Sequence, residues 1–374
     1  MIARLAPLAL LLLAALAGCT NPFAHDEDAT TYADLGFDGT TWPDLHGESV
    51  VLIDHGAFGY MFGPAKEAFE ALTNGTLEPG PASLDAGDML NRAIREKDAP
   101  SFDVLYGLDN AYLTKAVGAG ALKPYTPLLH DRVLPQYVFF DGNQTWPATP
   151  ADHGYIAVNV DPRANLTIRN LFDVRDHAAQ FVTQDPRTSS PGLGFLLATV
   201  ATFGDGTSYD WHDYWTDLFR NHVLVTSDWT TAYAETFTGG YGQVEGGRPI
   251  VTSYTTSPAY ELYYGATTLN DLVLAPRSTF HQVETVAIAA HPKHLAAAQA
   301  FVEFTLTDAF QDLHAANNAV YPVVAGINVT SVYGGLDPAP GSFVADGLPS
   351  SVIGANVERW VAEWTDLYEA HQAK

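Results

Sequence analysis

Short apolar runs alternate along this chain with segments whose apolar residues recur every three or four positions. Ser49-Val-Val-Leu-Ile-Asp54 reads as a buried strand, followed by a Gly-punctuated loop from His55 to Gly63. Pro64 to Leu72 then places Ala65, Ala68, Phe69 and Leu72 on one helical face. Asp88 to Lys97 is a second helix, apolar at Met89, Leu90, Ala93 and Ile94. Asp103 to Gly107 is a strand, and Asn110 to Ala119 a third helix. This alternation predicts a mainly parallel sheet with helices on its faces.

The middle of the chain repeats the theme. Strands are predicted over His153–Asn159, Ala179–Thr183, Val223–Thr226 and Ile250–Tyr254, with a return strand over Gln282–Ala290. Helices are predicted over Ile168–Phe172, Leu193–Thr202, Tyr209–Arg220, Thr230–Phe237, His294–Phe304 and Asp308–Ala315. The last helix, Ala355 to Ala373, carries Trp360, Trp364 and Tyr368 at four-residue spacing, a stripe for core packing. No internal repeat is visible. The expected architecture is two α/β lobes: lobe I from residues 49–150 and 281–320, lobe II from 151–280, and a C-terminal segment, 321–374, whose helix packs on the lobes. Ligands in open α/β sheets sit at the carboxyl ends of strands, here in a cleft the two lobes share.

The first 48 residues read differently. Arg4 precedes an apolar run from Leu5 to Leu16, too short to span a bilayer, which ends in Leu16-Ala17-Gly18-Cys19. The expectation is a signal peptide over residues 1–18, cleaved before a lipidated Cys19 that anchors the protein to the outer face of a membrane. Residues 19–48, rich in Asp, Thr, Gly and Pro, are expected to be an acidic flexible tether. Cys19 is the only cysteine, so the mature chain has neither a disulfide nor a thiol nucleophile.

The formal net charge of −25 gives a surface that repels nucleic acid and excludes that class of partner. The same field attracts small cations and equally suits a salty habitat. Sequons stand at Asn74, Asn143, Asn165 and Asn328.

Candidate chemistry lies in three strand-to-helix connections. Gln184-Asp-Pro-Arg-Thr-Ser-Ser-Pro-Gly-Leu-Gly194 offers Ser189 and Ser190 at a helix start, where free N–H groups and hydroxyls suit an oxygen-bearing group or merely cap a helix. Ser253-Tyr-Thr-Thr-Ser-Pro-Ala-Tyr260 sets phenols and hydroxyls at the end of a buried strand. Trp229 occupies a similar place in Ser227-Asp-Trp-Thr-Thr-Ala-Tyr233. Such a cleft suits a flat, polar, cationic ring, with each cation–π contact contributing about 0.5–2 kcal/mol.

These segments, together with Asp103-Val-Leu-Tyr-Gly-Leu-Asp-Asn110, Val320-Tyr-Pro-Val323 and Trp360-Val-Ala-Glu-Trp364, resemble the thiamine-binding periplasmic proteins of ABC importers. The likeness runs from Val50 to the C-terminus. It implies the type II periplasmic-binding-protein fold, two hinged lobes closing over thiamine or a thiamine phosphate, and delivery to an importer permease by a monomer. Ligand contacts implied by the resemblance are Asp85, Ala86, Ser189, Ser190, Trp229, Tyr254, Thr255, Thr256, Ser257 and Tyr260. His55 and Phe62 stand where the family has a tyrosine and a tryptophan, and Ala319 where it has another tryptophan. Neither a cofactor nor a metal is implied, and no catalysis.

Two other readings compete. Tyr263-Tyr264 resembles the paired phenols of ferric-ion receptors, and polyamine receptors also use acidic, aromatic clefts. Type I thiaminases share the implied fold and cleave thiamine with a cysteine, which the mature chain lacks.

Overall fold

The computed structural model describes residues 30–373, apart from 82–83, 142–143, 242–246, 337–340, 342–343 and 345–347. The signal peptide, Cys19 and the first part of the expected tether lie outside the described residues.

Lobe I opens with β1 (Ser49–Asp54), α1 (Gly59–Thr73), β2 (Thr76–Pro79), α2 (Ala86–Arg95), β3 (Val104–Asp109), α3 (Leu113–Gly118) and β4 (Leu122–Lys123). The long strand β5 (Thr149–Val160), every residue of it buried, carries the chain into lobe II. There follow α4 (Leu171–Asp176), β6 (Phe181–Gln184), α5 (Ser190–Phe203), α6 (Trp211–Arg220), β7 (Leu224–Thr226), α7 (Trp229–Tyr233), β8 (Ile250–Tyr254), α8 (Ser257–Tyr263) and β9 (Asp271–Val273). A second long strand, β10 (Phe280–Ala289), returns to lobe I. It leads to α9 (Leu295–Thr305), α10 (Asp308–Gln311), α11 (Leu313–Asn317), β11 (Tyr321–Pro322), α12 (Thr330–Tyr333) and the terminal α13 (Ser350–Gln372).

One sheet runs through both lobes in the order β2-β1-β3-β10-β5-β8-β6-β7. β1 pairs in parallel with β2 and β3, and β6 in parallel with β7 and β8. The two crossover strands, β5 and β10, are antiparallel to each other. Their register breaks between Glu284 and Thr285, and β10 slips again against β3 between Thr285 and Val286. A bulge bends and twists a strand, so the sheet is most easily bent between the lobes at this place. This is the two-lobed type II periplasmic-binding-protein architecture with a hinge.

Apolar layers follow from the spacing noted above. α1 buries Met61, Ala65, Phe69 and Thr73, a four-residue stripe, against α9 and one face of lobe I. α5 is buried almost throughout and fills the space between the sheet and α6. The Trp360 and Trp364 stripe of α13 joins that same core, with Trp364 and Trp215 edge to face at 5.5 Å.

Three expectations are corrected. Residues 30–48 are not a tether: Tyr32, Phe37 and Leu45 are buried in lobe I, and the Tyr32 amide donates to Gln299 Oε1 at 2.8 Å. α1 begins at Gly59, so the expected loop over His55 to Gly63 is short and Pro64 lies inside the helix. The helix expected over Asp308 to Ala315 is divided at Asp312 into α10 and α11.

Candidate functional site

Carboxyl ends of β1, β6, β7 and β8 converge on one cavity of about 400 Å³ between the lobes, within the size range of small-molecule sites. His55, Asp85, Ala86, Ser189, Ser190, Trp229, Tyr254, Ser257 and Tyr260 all line it, as the sequence led us to expect.

Each is placed by the local fold. Asp85 is the N-cap of α2, where the chain turns out of extended conformation. Ser189 is the N-cap of α5, set by its amide donating to Asp185 O at 3.0 Å. Ser190 directs its hydroxyl onto Asp109 Oδ2 at 2.5 Å. Trp229 opens α7, capped by Asp228, which accepts from the Thr231 amide at 2.8 Å. One face of the Trp229 ring stacks on buried Tyr233 at 4.8 Å with planes 11° apart, and its Nε1 donates to Ser253 Oγ at 3.0 Å. Ser253 and Ser257 share a hydrogen bond of 2.9 Å. Tyr254 donates to Gln282 Oε1 at 3.0 Å, and Gln282 in turn donates to Glu284.

Three expected contacts do not line the cavity. Thr255 is buried, its amide donating to Tyr155 O. Thr256 donates its hydroxyl to the carbonyl of Ala319, holding that wall residue in a left-handed conformation at φ 55°. Phe62 packs, half-buried, against the lobe I core because α1 starts early and turns it off the cleft.

Residues that the sequence reading missed complete the wall: Tyr60, Tyr241 and Tyr264 at the mouth, and Glu284, Asn317 and Asn318 deeper in. Glu284 could have been suspected from the alternation of β10, since Gln282 and Glu284 are an amide and an acid two apart, on one face of a buried strand.

The site is acidic. Burial, and then the charge of Asp228, pushes the Asp85 carboxyl up to about 6, against the pull of cationic His55. His55 Nε2 lies 3.0 Å from Glu284 Oε2. Burial opposes a charged imidazole there, but Glu284, with Asp152 and Asp54 behind it, raises it to about 9, so it is protonated at neutral pH. Asp85 Oδ2, Ser189 Oγ and both side-chain polar atoms of Asn318 are buried without a hydrogen bond from the protein. Such atoms are costly unless something else satisfies them, and a polar ligand would.

The lobes also meet directly beside the cavity. The Gly87 amide of α2 donates to Thr188 O at 3.0 Å, and Tyr112 donates to Pro186 O at 3.1 Å. A Cβ on Gly87 would stand 2.4 Å from Arg187 O. Gly87→Ala is therefore expected to hold the lobes apart, weakening ligand affinity about tenfold through a strain of about 1–3 kcal/mol. Titration calorimetry with small-angle scattering checks both effects; unchanged affinity and radius of gyration would show that the contact is dispensable.

A ferric-type phenol pair is not formed: Tyr264 donates to Ala316 O at 2.7 Å, while Tyr263 is exposed and off the cavity wall. Among the described residues, the group spaced to hold a metal is Asp205, Asp210 and His212, outside the cavity lining.

No family model matches the chain. It is 31% identical over 324 residues to the thiamine-binding periplasmic protein of Escherichia coli (strain K12), across 82% of this chain and 90% of that one. It is 30% identical over 287 residues to the protein of the same name from Brucella abortus biovar 1 (strain 9-941), across 76% and 80%. A solved periplasmic thiamin binding protein superposes with a TM-score of 0.71 at 29% identity, covering 87% of this chain and 99% of that one. Iron-bound HitA from Pseudomonas aeruginosa, at a TM-score of 0.66 and 19% identity, shares the fold. With its sequence alignable over most of both partners and its two-lobed sheet superposable on theirs, the chain belongs to the family of thiamine-binding periplasmic proteins.

Proposed function

We propose that this chain is an extracytoplasmic, lipid-anchored receptor that captures thiamine between its lobes and hands it, as a monomer, to the permease of an ABC importer. The carrying observation is the combination in one cavity of a half-buried carboxylate, Asp85, with the rings of Trp229, Tyr254 and Tyr260. Thiamine brings a permanently cationic thiazolium, a flat aminopyrimidine and a hydroxyethyl tail. The rings offer faces to the first two groups. Asp85 accepts from the amine or balances the cation, and Ser189 meets the hydroxyl. Closure about the bulged crossover strands would bring both walls onto the ligand.

The same cavity supports binding without chemistry. None of the described residues is a cysteine, so among them the thiolate of a thiamine-cleaving enzyme has no counterpart in this cavity. Incubation with thiamine is expected to release no pyrimidine. Lipidation of Cys19 is proposed from its sequence context, and mass spectrometry of the membrane fraction tests it. Among the described residues no helix is long and apolar enough to cross a membrane.

Titration calorimetry with thiamine, spermidine and ferric citrate tests the ligand; saturable binding of either competitor with none of thiamine overturns the assignment. The acidity of Asp85 adds a pH signature. Below a pKa of about 6 the carboxyl is protonated and no longer balances a cation. Affinity is expected to fall about tenfold as pH drops from 7.5 to 5, the equivalent of about one unit of pKa coupling. In Asp85→Asn the profile should be flat across that range.

A further inference from the structure

We infer that Tyr60 is the ring with which lobe I covers the bound ligand, coming down on closure over the side that the Trp229 platform leaves open. This rests on the thiamine reading above and adds to it a contact from the first turn of α1.

A flat ligand held between two lobes is gripped best with a face on each side. Lobe II supplies Trp229, and Tyr233 already occupies one side of that ring at 4.8 Å, so a single face remains for the ligand. The lobe I wall is poorer in rings. Phe62, standing where the family has a tryptophan, packs against the core, and Ala319, at the place of another, carries no ring. His55 is tied to Glu284 at 3.0 Å and is protonated at neutral pH, so it repels a thiazolium. Among the described residues, Tyr60 is the remaining aromatic side chain that lobe I brings to the cavity.

The surroundings of Tyr60 leave it free to move. It is 70% exposed, and among the described residues its ring has no stacking partner and its hydroxyl no hydrogen bond. One turn to either side stand Gly56 and Gly63, where a Cβ would meet nothing within 4 Å, so nothing pins the ring to the helix surface. Its backbone, by contrast, is fixed. α1 packs against α11, whose chain continues through Asn317 and Asn318 to Ala319 of the same wall.

Tyr60 also stands opposite the rings of lobe II. Burial first, and the Tyr60 hydroxyl among the groups after it, raises the phenols of Tyr241 and Tyr260. Bending at the bulged crossover strands then carries Tyr60 onto whatever lies between. A ring that arrives with closure acts on holding rather than on first encounter, so its effect belongs in the dissociation rate.

Stopped-flow kinetics with thiamine on the wild-type protein, Tyr60→Ala and Tyr60→Phe test this. Tyr60→Ala is expected to raise the dissociation rate about tenfold and to change association less than about threefold, with the thermal midpoint unmoved. Tyr60→Phe keeps the ring and should stay within about twofold of wild type. Nitration by tetranitromethane, mapped by peptide mass spectrometry, gives a second readout. Tyr60 should react in the free protein and be protected by saturating thiamine, while Tyr263, exposed and off the cavity wall, reacts in both. An unchanged dissociation rate in Tyr60→Ala, an equal loss in Tyr60→Phe, or nitration of Tyr60 that thiamine does not slow overturns the inference and leaves the thiamine reading standing. Wild-type protein that binds no thiamine overturns both.

Discussion

Trp229→Ala is expected to weaken thiamine binding about thirtyfold, a loss of about 2 kcal/mol, with little change in thermal stability. The size of the effect comes from the way the ring is held. Tyr233, fully buried, backs one face at 4.8 Å, and the bond from Nε1 to Ser253 Oγ fixes rotation in the plane. A ring immobilised before the ligand arrives loses no side-chain entropy on binding, so most of its cation–π and contact energy appears as affinity. Trp229→Phe keeps an aromatic face but gives up the hydrogen bond, and should recover part of the loss. Affinity unaffected by Trp229→Ala, measured calorimetrically on protein of native circular dichroism, would place the ligand elsewhere.

The largest stability effect is expected at the other end of the chain. Trp364→Ala should cost about 3–5 kcal/mol, the usual range for truncating a fully buried aromatic residue. Trp364 has no exposed surface. It meets Trp215 edge-on at 5.5 Å, stacks on Tyr368 at 5.1 Å, and lies under the Arg187 guanidinium at 5.9 Å. Arg187 is also clamped by Asp185, so α13 braces the connection that presents Ser189 and Ser190. The variant should therefore lose affinity as well as stability. Urea denaturation showing a loss under about 1 kcal/mol would mean that the helix is merely appended.

How much of this was legible in the sequence depended on whether the signal was local. β1, β8 and the stripe of α13 announce themselves by uninterrupted apolar runs or four-residue spacing. The two strand-to-helix connections after β6 and β8 were legible because their hydroxyls, prolines and aromatics are contiguous. Tyr60 was not. Gly56, Gly59 and Gly63 read as loop punctuation, yet the helix runs through two of these three, and its phase sends Met61 and Ala65 to the core and Phe62 to its margin. Tyr60 is thereby left 70% exposed at the mouth of the cavity. Getting the start of one helix wrong exchanged one aromatic for another. Residues 30–48 failed for a different reason. Tyr32, Phe37 and Trp42 have no periodicity of their own and cluster only with one another, on a surface made by α1 and α9. Thr255 and Thr256 were taken with their neighbours, but the backbone turns them inward at the junction of β8 and α8.

Gly87 gives the lobe contact a practical use. Because the gap there admits a hydrogen atom and nothing larger, residues of increasing bulk at this position become wedges of graded thickness. A series from Ala through Val to Leu would prop the jaws at successive angles without touching the ring faces. Capture and release of the ligand could then be timed separately in one scaffold.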